Sequence, residues 1–131
     1  MSLDHVGIAV ESIEEALPFY RKALGLEVYH REEVPTQKVK VAFLQAGETS
    51  LELLEPTSED GAIAKFLKTR GPGIHHIAFS VKEIESRMKA LTEAGLPPLE
   101  SRPRPGARGH KVCFLHPKHA HGVLVELVEH A

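Results

Sequence analysis

Hydrophobic and polar positions alternate from the first residues onward. Leu3, His5, Gly7 and Ala9 share one face of an extended segment and Val6, Ile8 and Val10 the other, which predicts a half-buried strand over 2–10. The period then changes. Ser12 with Glu15 three residues later has the form of a capping box, and Ile13, Ala16, Leu17, Tyr20 and Leu24 line one face of a helix that Gly25 stops. Pro18 lies inside that span and predicts a kink or a later start. Residues 26–31 read as a short strand, 32–38 as a polar loop or poorly paired edge around Pro35, and 40–45 and 50–55 as strands joined at Gly47-Glu48. A linking helix is predicted over 63–67, closed by Gly71-Pro72-Gly73. The sequence then gives a strand at 74–81, a helix at about 83–94 stopped by Gly95, and a strand near 98–102. An exposed, mobile loop follows at 103–109, then strands at about 110–115 and 122–129.

The second series repeats the first. Asp4-His5-Val6-Gly7-Ile8-Ala9-Val10 aligns with His75-His76-Ile77-Ala78-Phe79-Ser80-Val81, an offset of 71 between His5 and His76 that also carries Lys40-Val41-Ala42-Phe43-Leu44 onto Lys111-Val112-Cys113-Phe114-Leu115. Leu51-Glu52-Leu53-Leu54-Glu55 matches Val125-Glu126-Leu127-Val128-Glu129 at an offset of 74, so three extra residues belong in the loop from His116 to Gly122. Each copy is a βαβββ module that cannot cover both faces of its own sheet. The fold class expected is α+β: two pseudo-symmetric modules forming a curved, incompletely closed eight-stranded mixed sheet with a cupped metal site. The chain reads as a single domain over 1–131, with module 1 at about 1–56, the linker helix at about 57–72 and module 2 at about 73–131.

Composition narrows the function. A length of 131 residues, 42% hydrophobic and 26% charged, suits one soluble globular unit. A net charge of −2 without a basic run argues against a nucleic-acid partner. No apolar run approaches membrane-spanning length, and the single cysteine, Cys113, excludes an internal disulfide. A cytoplasmic location is therefore expected. Nine histidines without tryptophan point towards metal or proton chemistry.

The candidate residues follow from the repeat. His5 and His76 sit at matched positions on faces otherwise made of small residues, which leaves room for a ligand; His75 belongs to the outer face. Glu126 lies in a strand apolar on both faces and should be buried, and Glu52 is its repeat. A buried carboxylate is retained mainly when paired or bound to a metal. Two imidazoles and two carboxylates suit a divalent transition ion, so His5, Glu52, His76 and Glu126 form the predicted metal set. His30, His110, His116, His119, His121 and His130 are read as ordinary core or surface histidines.

These residues resemble the vicinal oxygen chelate (glyoxalase) superfamily and, within it, the methylmalonyl-CoA epimerases. The resemblance covers essentially the whole chain. It rests on Asp4-His5-Val6-Gly7-Ile8-Ala9-Val10, Leu51-Glu52-Leu53-Leu54-Glu55-Pro56, Ile63-Ala64-Lys65-Phe66-Leu67, Gly73-Ile74-His75-His76-Ile77-Ala78, and His116-Pro117-Lys118 leading to Gly122-Val123-Leu124-Val125-Glu126-Leu127. It implies interconversion of (R)- and (S)-methylmalonyl-CoA by proton transfer at C2 through a metal-stabilised enolate. Glu126 would be both ligand and catalytic acid–base, and the metal cobalt, with zinc, manganese or nickel as alternatives. An acyl-CoA substrate and a homodimer are implied, with Lys118, Arg104 and Arg108 as candidate phosphate contacts. Some family members place a Glu in the strand aligned with 39–43, where this chain has Val41; Glu32, Glu33, Gln37 and Lys40 are the polar groups nearby. A glyoxalase I-type lactoylglutathione lyase uses the same ligand types, and an extradiol dioxygenase would need only two His and one Glu. A non-catalytic antibiotic-binding protein of this fold commonly lacks the metal set.

Overall fold

The computed structural model describes residues 1–131 and contains eight strands and three helices. The strands are β1 (Ser2–Ala9), β2 (Val28–Val34), β3 (Val39–Ala46), β4 (Thr49–Pro56), β5 (Gly73–Ser80), β6 (Arg104–Pro105), β7 (Lys111–Leu115) and β8 (Val125–Glu129). The helices are α1 (Ile13–Lys22), α2 (Ala62–Arg70) and α3 (Ile84–Glu93). Two compact units emerge, one of His5–His75 and one of Met1–Asp4 with His76–Ala131.

In the first unit the strands are ordered β2-β3-β4-β1, antiparallel except for the parallel β1–β4 pair. Helix α1 begins as its sequence dictates, Ser12 accepting a hydrogen bond from the Glu15 amide at 3.2 Å. A second acceptor was not foreseen: a Glu55 carboxylate oxygen on β4 takes the Ile13 amide at 2.8 Å. The helix runs through Pro18 rather than starting after it. It ends at Lys22, earlier than expected, and Leu24 is exposed rather than buried. The chain turns at Gly25, whose φ of +66° is open to glycine, and Leu26 packs inward instead. Ile13 and Leu17 of α1 join Val10, Ala42, Leu44 and Leu53 in the core, with Ile8 against them. Leu17 is only 1% exposed, so its truncation to Ala would cost about 2–5 kcal/mol.

The polar stretch after residue 31 begins as a sheet edge, one of the two forms expected, but as a paired strand rather than a poorly paired one. β2 extends to Val34, pairs residue by residue with β3 from His30 onward after a register shift between Val28 and His30, and is closed by a 3-10 turn at Pro35–Gln37 with Lys38 left-handed at φ 56°. Its alternation is carried by charged residues, as suits a sheet edge exposed to solvent, and so escapes a reading based on hydrophobicity.

The second unit repeats the plan in the order β5-β8-β7-β6, with β5 parallel to β8. Its helix-side core is Val81, Ile84, Met88, Cys113 and Leu127, the duplicates of Val10, Ile13, Leu17, Ala42 and Leu53. Glu129 takes the Ile84 amide at 2.7 Å, repeating the Glu55 cap. Three expectations fail here. No strand forms over 98–102, where Pro97, Pro98 and Pro103 limit the backbone donors. A Glu100 carboxylate oxygen instead accepts the Phe114 amide at 2.9 Å, and the edge strand is the two-residue β6. The segment 103–109 therefore holds β6 and a 3-10 turn at Ala107–Gly109 rather than a plain loop. Gly106 is required there, because a Cβ would lie 2.9 Å from a Val112 methyl. Finally, β8 starts at Val125, leaving Val123 41% exposed in the preceding turn.

Candidate functional site

The parallel pairing of β1 with β4 sets Gly7 opposite Glu52 and His5 opposite Ser50. Directly paired residues project from the same sheet face, so His5 and Glu52 rise side by side with no side chain from Gly7 between them. The His5 Nδ1 atom lies 3.0 Å from Glu52 Oε2. Phe43 of β3, opposite Glu52, borders the pair on the same face.

The second unit reproduces this register. Ala78 faces Glu126 across β5 and β8, as Gly7 faces Glu52, and Phe114 faces Glu126 as Phe43 faces Glu52. His76 Nε2 is 2.9 Å from Glu126 Oε1, and the Phe114 ring meets the imidazole edge to face at 5.8 Å and 88°. The three inserted residues fall in the β7–β8 turn, since Phe43 pairs across nine positions and Phe114 across twelve.

Burial singles out the same residues. His5, His76 and Glu126 are the buried polar or charged residues of the chain, at 4%, 6% and 5% exposure, and the Glu52 side chain is 13% exposed. Burying a charge this far is unfavourable unless it is paired or coordinated. Two donor atoms each about 2.1 Å from one ion at right angles lie about 3 Å apart, so each imidazole–carboxylate pair has the spacing of two ligands on a common cation. Nitrogen with hard oxygen donors suits a divalent transition ion. The chemistry available is Lewis acidity beside a carboxylate able to move a proton.

Five of the other histidines have side-chain partners of their own. His75 packs edge to face on Phe66 of α2 at 5.1 Å, on the outer face as expected. His110 and His130 stack at 4.2 Å, His130 hydrogen-bonds Asp4, and His116 Nδ1 accepts the Lys118 amide at 3.0 Å. His30 pairs with Glu32 at 3.0 Å. Arg104 lies over the Phe114 ring at 5.4 Å, and Arg108 reaches His110 at 3.2 Å. Cys113 faces α3, where burial, with the Glu100 and Glu126 carboxylates nearby, pushes its thiol up to about 12 and makes it a poor ligand or nucleophile. Sequence reasoning gave no role to Phe43 and Phe114; their matched places in the repeat were the available signal.

Residues 4–114 match the profile of the Glyoxalase/Bleomycin resistance protein/Dioxygenase superfamily, and the chain belongs to that family. Membership carries the fold class expected from the repeat, an α+β fold of two βαβββ modules. Among similar proteins, the ethylmalonyl-CoA/methylmalonyl-CoA epimerase of Cereibacter sphaeroides is 45% identical over 95% of this chain and 95% of its own length. The mitochondrial methylmalonyl-CoA epimerase of Homo sapiens is 41% identical over 95% of this chain and 72% of its own. A solved Streptomyces coelicolor methylmalonyl-CoA epimerase variant, in complex with 2-nitronate-propionyl-CoA, is 40% identical with a TM-score of 0.96 over 100% of this chain and 95% of that one. No helix is long and apolar enough to cross a membrane.

Proposed function

We propose that this chain is a metal-dependent epimerase that interconverts (R)- and (S)-methylmalonyl-CoA by proton transfer at C2. The observation that carries the reading is the buried His76–Glu126 pair together with its register-for-register repeat in His5 and Glu52. The epimerases of Cereibacter and Homo sapiens, similar along nearly the whole chain, support the substrate class.

The C2 proton lies between a thioester and a carboxylate and is already acidified by both. His5, Glu52, His76 and Glu126 would hold one divalent ion, the two modules acting as a single domain. A bound ion supplies Lewis acidity to the thioester oxygen, spreading the charge of the enolate. Cobalt is the first choice, with zinc, manganese or nickel as alternatives. Glu126 is held against His76 and bordered by Phe114, which excludes water from one side of the carboxylate. As a carboxylate it accepts the C2 proton; as a carboxylic acid it returns one. The same reading takes the protein to be a cytoplasmic homodimer, which light scattering on the purified protein checks for mass.

Proton NMR of methylmalonyl-CoA in D2O, followed with and without a chelator, tests the proposal. The expected result is loss of the C2 proton signal that stops on chelation and returns with cobalt, at one ion per chain. A fully cobalt-loaded protein that leaves the signal intact would refute the epimerase reading.

A further inference from the structure

Arg104 is a candidate phosphate contact by resemblance, yet its guanidinium lies on an aromatic ring. It is 5.4 Å from the centroid of Phe114, and its Nε is 3.6 Å from a Glu100 carboxylate oxygen. The register shows which face these groups occupy. Arg104 pairs with Val112 across β6 and β7, and Phe114 lies two residues further along β7 on the same side. Phe114 pairs with Glu126, Glu126 pairs with Ala78, and His76 is two residues before Ala78 on β5. Arg104, Phe114, His76 and Glu126 therefore share one face of the second unit.

The segment before β6 holds the Phe114 backbone. Its amide donates to Glu100 at 2.9 Å, and its carbonyl accepts the Leu99 amide at 2.8 Å. Both groups thus point away from β8. That makes Phe114–Glu126 a non-hydrogen-bonded antiparallel pair, the type whose side chains stand closer together. Glu100 takes the Phe114 amide with one carboxylate oxygen and faces Arg104 with the other. The Phe114 ring is the contact common to the guanidinium and the imidazole. It meets His76 edge to face at 5.8 Å and 88°, while His76 Nε2 is 2.9 Å from Glu126. The outer torsion of a histidine side chain is broad and weakly restrained. A ring packed across the imidazole restricts that rotation and keeps Nε2 aimed at Glu126.

We propose that Phe114 and Arg104 are positioning residues for His76, with Arg104 acting through the ring it covers rather than on a phosphate. The inference rests on the metal-binding role proposed above for His76 and Glu126. An arginine held by a carboxylate and an aromatic face is committed to the fold. A ligand imidazole is aimed by the groups around it, and losing one of them loosens the ion.

The test is cobalt titration of the apo protein, followed by the visible absorption of the bound ion, with methylmalonyl-CoA kinetics alongside. Phe114→Leu keeps apolar volume and removes the ring. Its cobalt Kd should rise about two- to tenfold, the worth of an aromatic pair, and the absorption bands should shift. Phe114→Tyr keeps the ring and should bind cobalt within about twofold of wild type. Arg104→Met alters a side chain that is 45% exposed and keeps its apolar stem, so folding is not at risk. It should raise the cobalt Kd about two- to fivefold and leave KM for the acyl-CoA unchanged. Made on top of Phe114→Leu, the same change should add nothing, because the ring through which it acts is gone. Wild-type cobalt affinity in Arg104→Met with a raised, salt-dependent KM would overturn the assignment in favour of a phosphate contact. Equal losses from Arg104→Met with and without the ring would also overturn it, as would a Phe114→Tyr variant as weak as Phe114→Leu. Each of these outcomes leaves the wild-type metal site standing; a wild type that binds no cobalt would remove the metal role and this inference together.

Discussion

The two modules are nearly the same machine, and their differences are confined to a few places. Duplication has kept the His and Glu in identical register, a Phe opposite each Glu, and a second glutamate three residues on that caps the helix following the His-bearing strand. It has changed which imidazole nitrogen meets the carboxylate, Nδ1 for His5 and Nε2 for His76. It has also changed the edge. The first module carries a seven-residue strand with the His30–Glu32 pair; the second has two residues of strand and a proline-rich approach. Over the matched Phe rings lie His30 in one and Arg104 in the other. Symmetry is retained at the two His–Glu pairs and lost at the sheet edges.

The largest predicted effect tests whether the two glutamates are chemically equivalent. Glu126→Gln should reduce epimerisation by roughly 10²–10⁴-fold, the range for losing a general acid–base group. Glu52→Gln keeps an oxygen donor and removes no proton-transfer group, so activity should fall by no more than about tenfold, with metal content maintained. Kinetics and metal analysis on both variants decide it. Equal losses would mean that Glu52 moves protons too, and the functional asymmetry of the modules would be wrong.

The same comparison explains what could be read from the sequence. The pairing of His5 with Glu52 and of His76 with Glu126 was legible because the motif occurs twice and the offset changes only at the 116–122 turn. Glu126 was marked by its apolar neighbours, and it is buried. The edges were not legible. β2 extends through Glu32 and Glu33 because β3 offers it a ladder, a partner no local pattern announces. The expected strand at 98–102 fails because the Glu100 side chain takes the Phe114 amide that a backbone partner would have taken. Glu55 and Glu129 were visible as a matched pair, but their task depends on the helix N-termini that the fold brings to them.

Those caps give a smaller, more local contrast. At α1 two side chains share the orphan amides, Ser12 at Glu15 and Glu55 at Ile13. At α3 the residue before the helix, Glu83, is left-handed with no side-chain cap, and Glu129 acts alone on the Ile84 amide. A cap contributes about 0.5–2 kcal/mol, and an acidic group at a helix N-terminus adds through the dipole. Glu129→Ala should therefore destabilise by about 1–2 kcal/mol and Glu55→Ala by about 1 kcal/mol or less, in urea titrations of the apo protein. The reverse order would mean that Ser12 adds little and that the α1 terminus depends on Glu55.

The smallest expected effect concerns a single sulfur atom. Cys113 occupies the place that Ala42 holds in the first module, and both are fully buried on the helix side of their sheets. Cys113→Ala thus installs the residue the other module already uses, at a predicted cost of about 1 kcal/mol for the lost packing. Its clearer signature is in pH. Burial pushes the folded thiol up to about 12, whereas an unfolded cysteine ionises near about 8.5. Between those values the native state holds a proton that the unfolded state has released, so stability falls as pH rises through that window. Below about pH 8 both states are protonated and the thiol has no such effect. Wild type should lose stability between about pH 9 and 11 more steeply than Cys113→Ala, measured by denaturant titration at each pH. Parallel curves would show that the sulfur is solvated like a free thiol and that the second module's core is looser than that of the first.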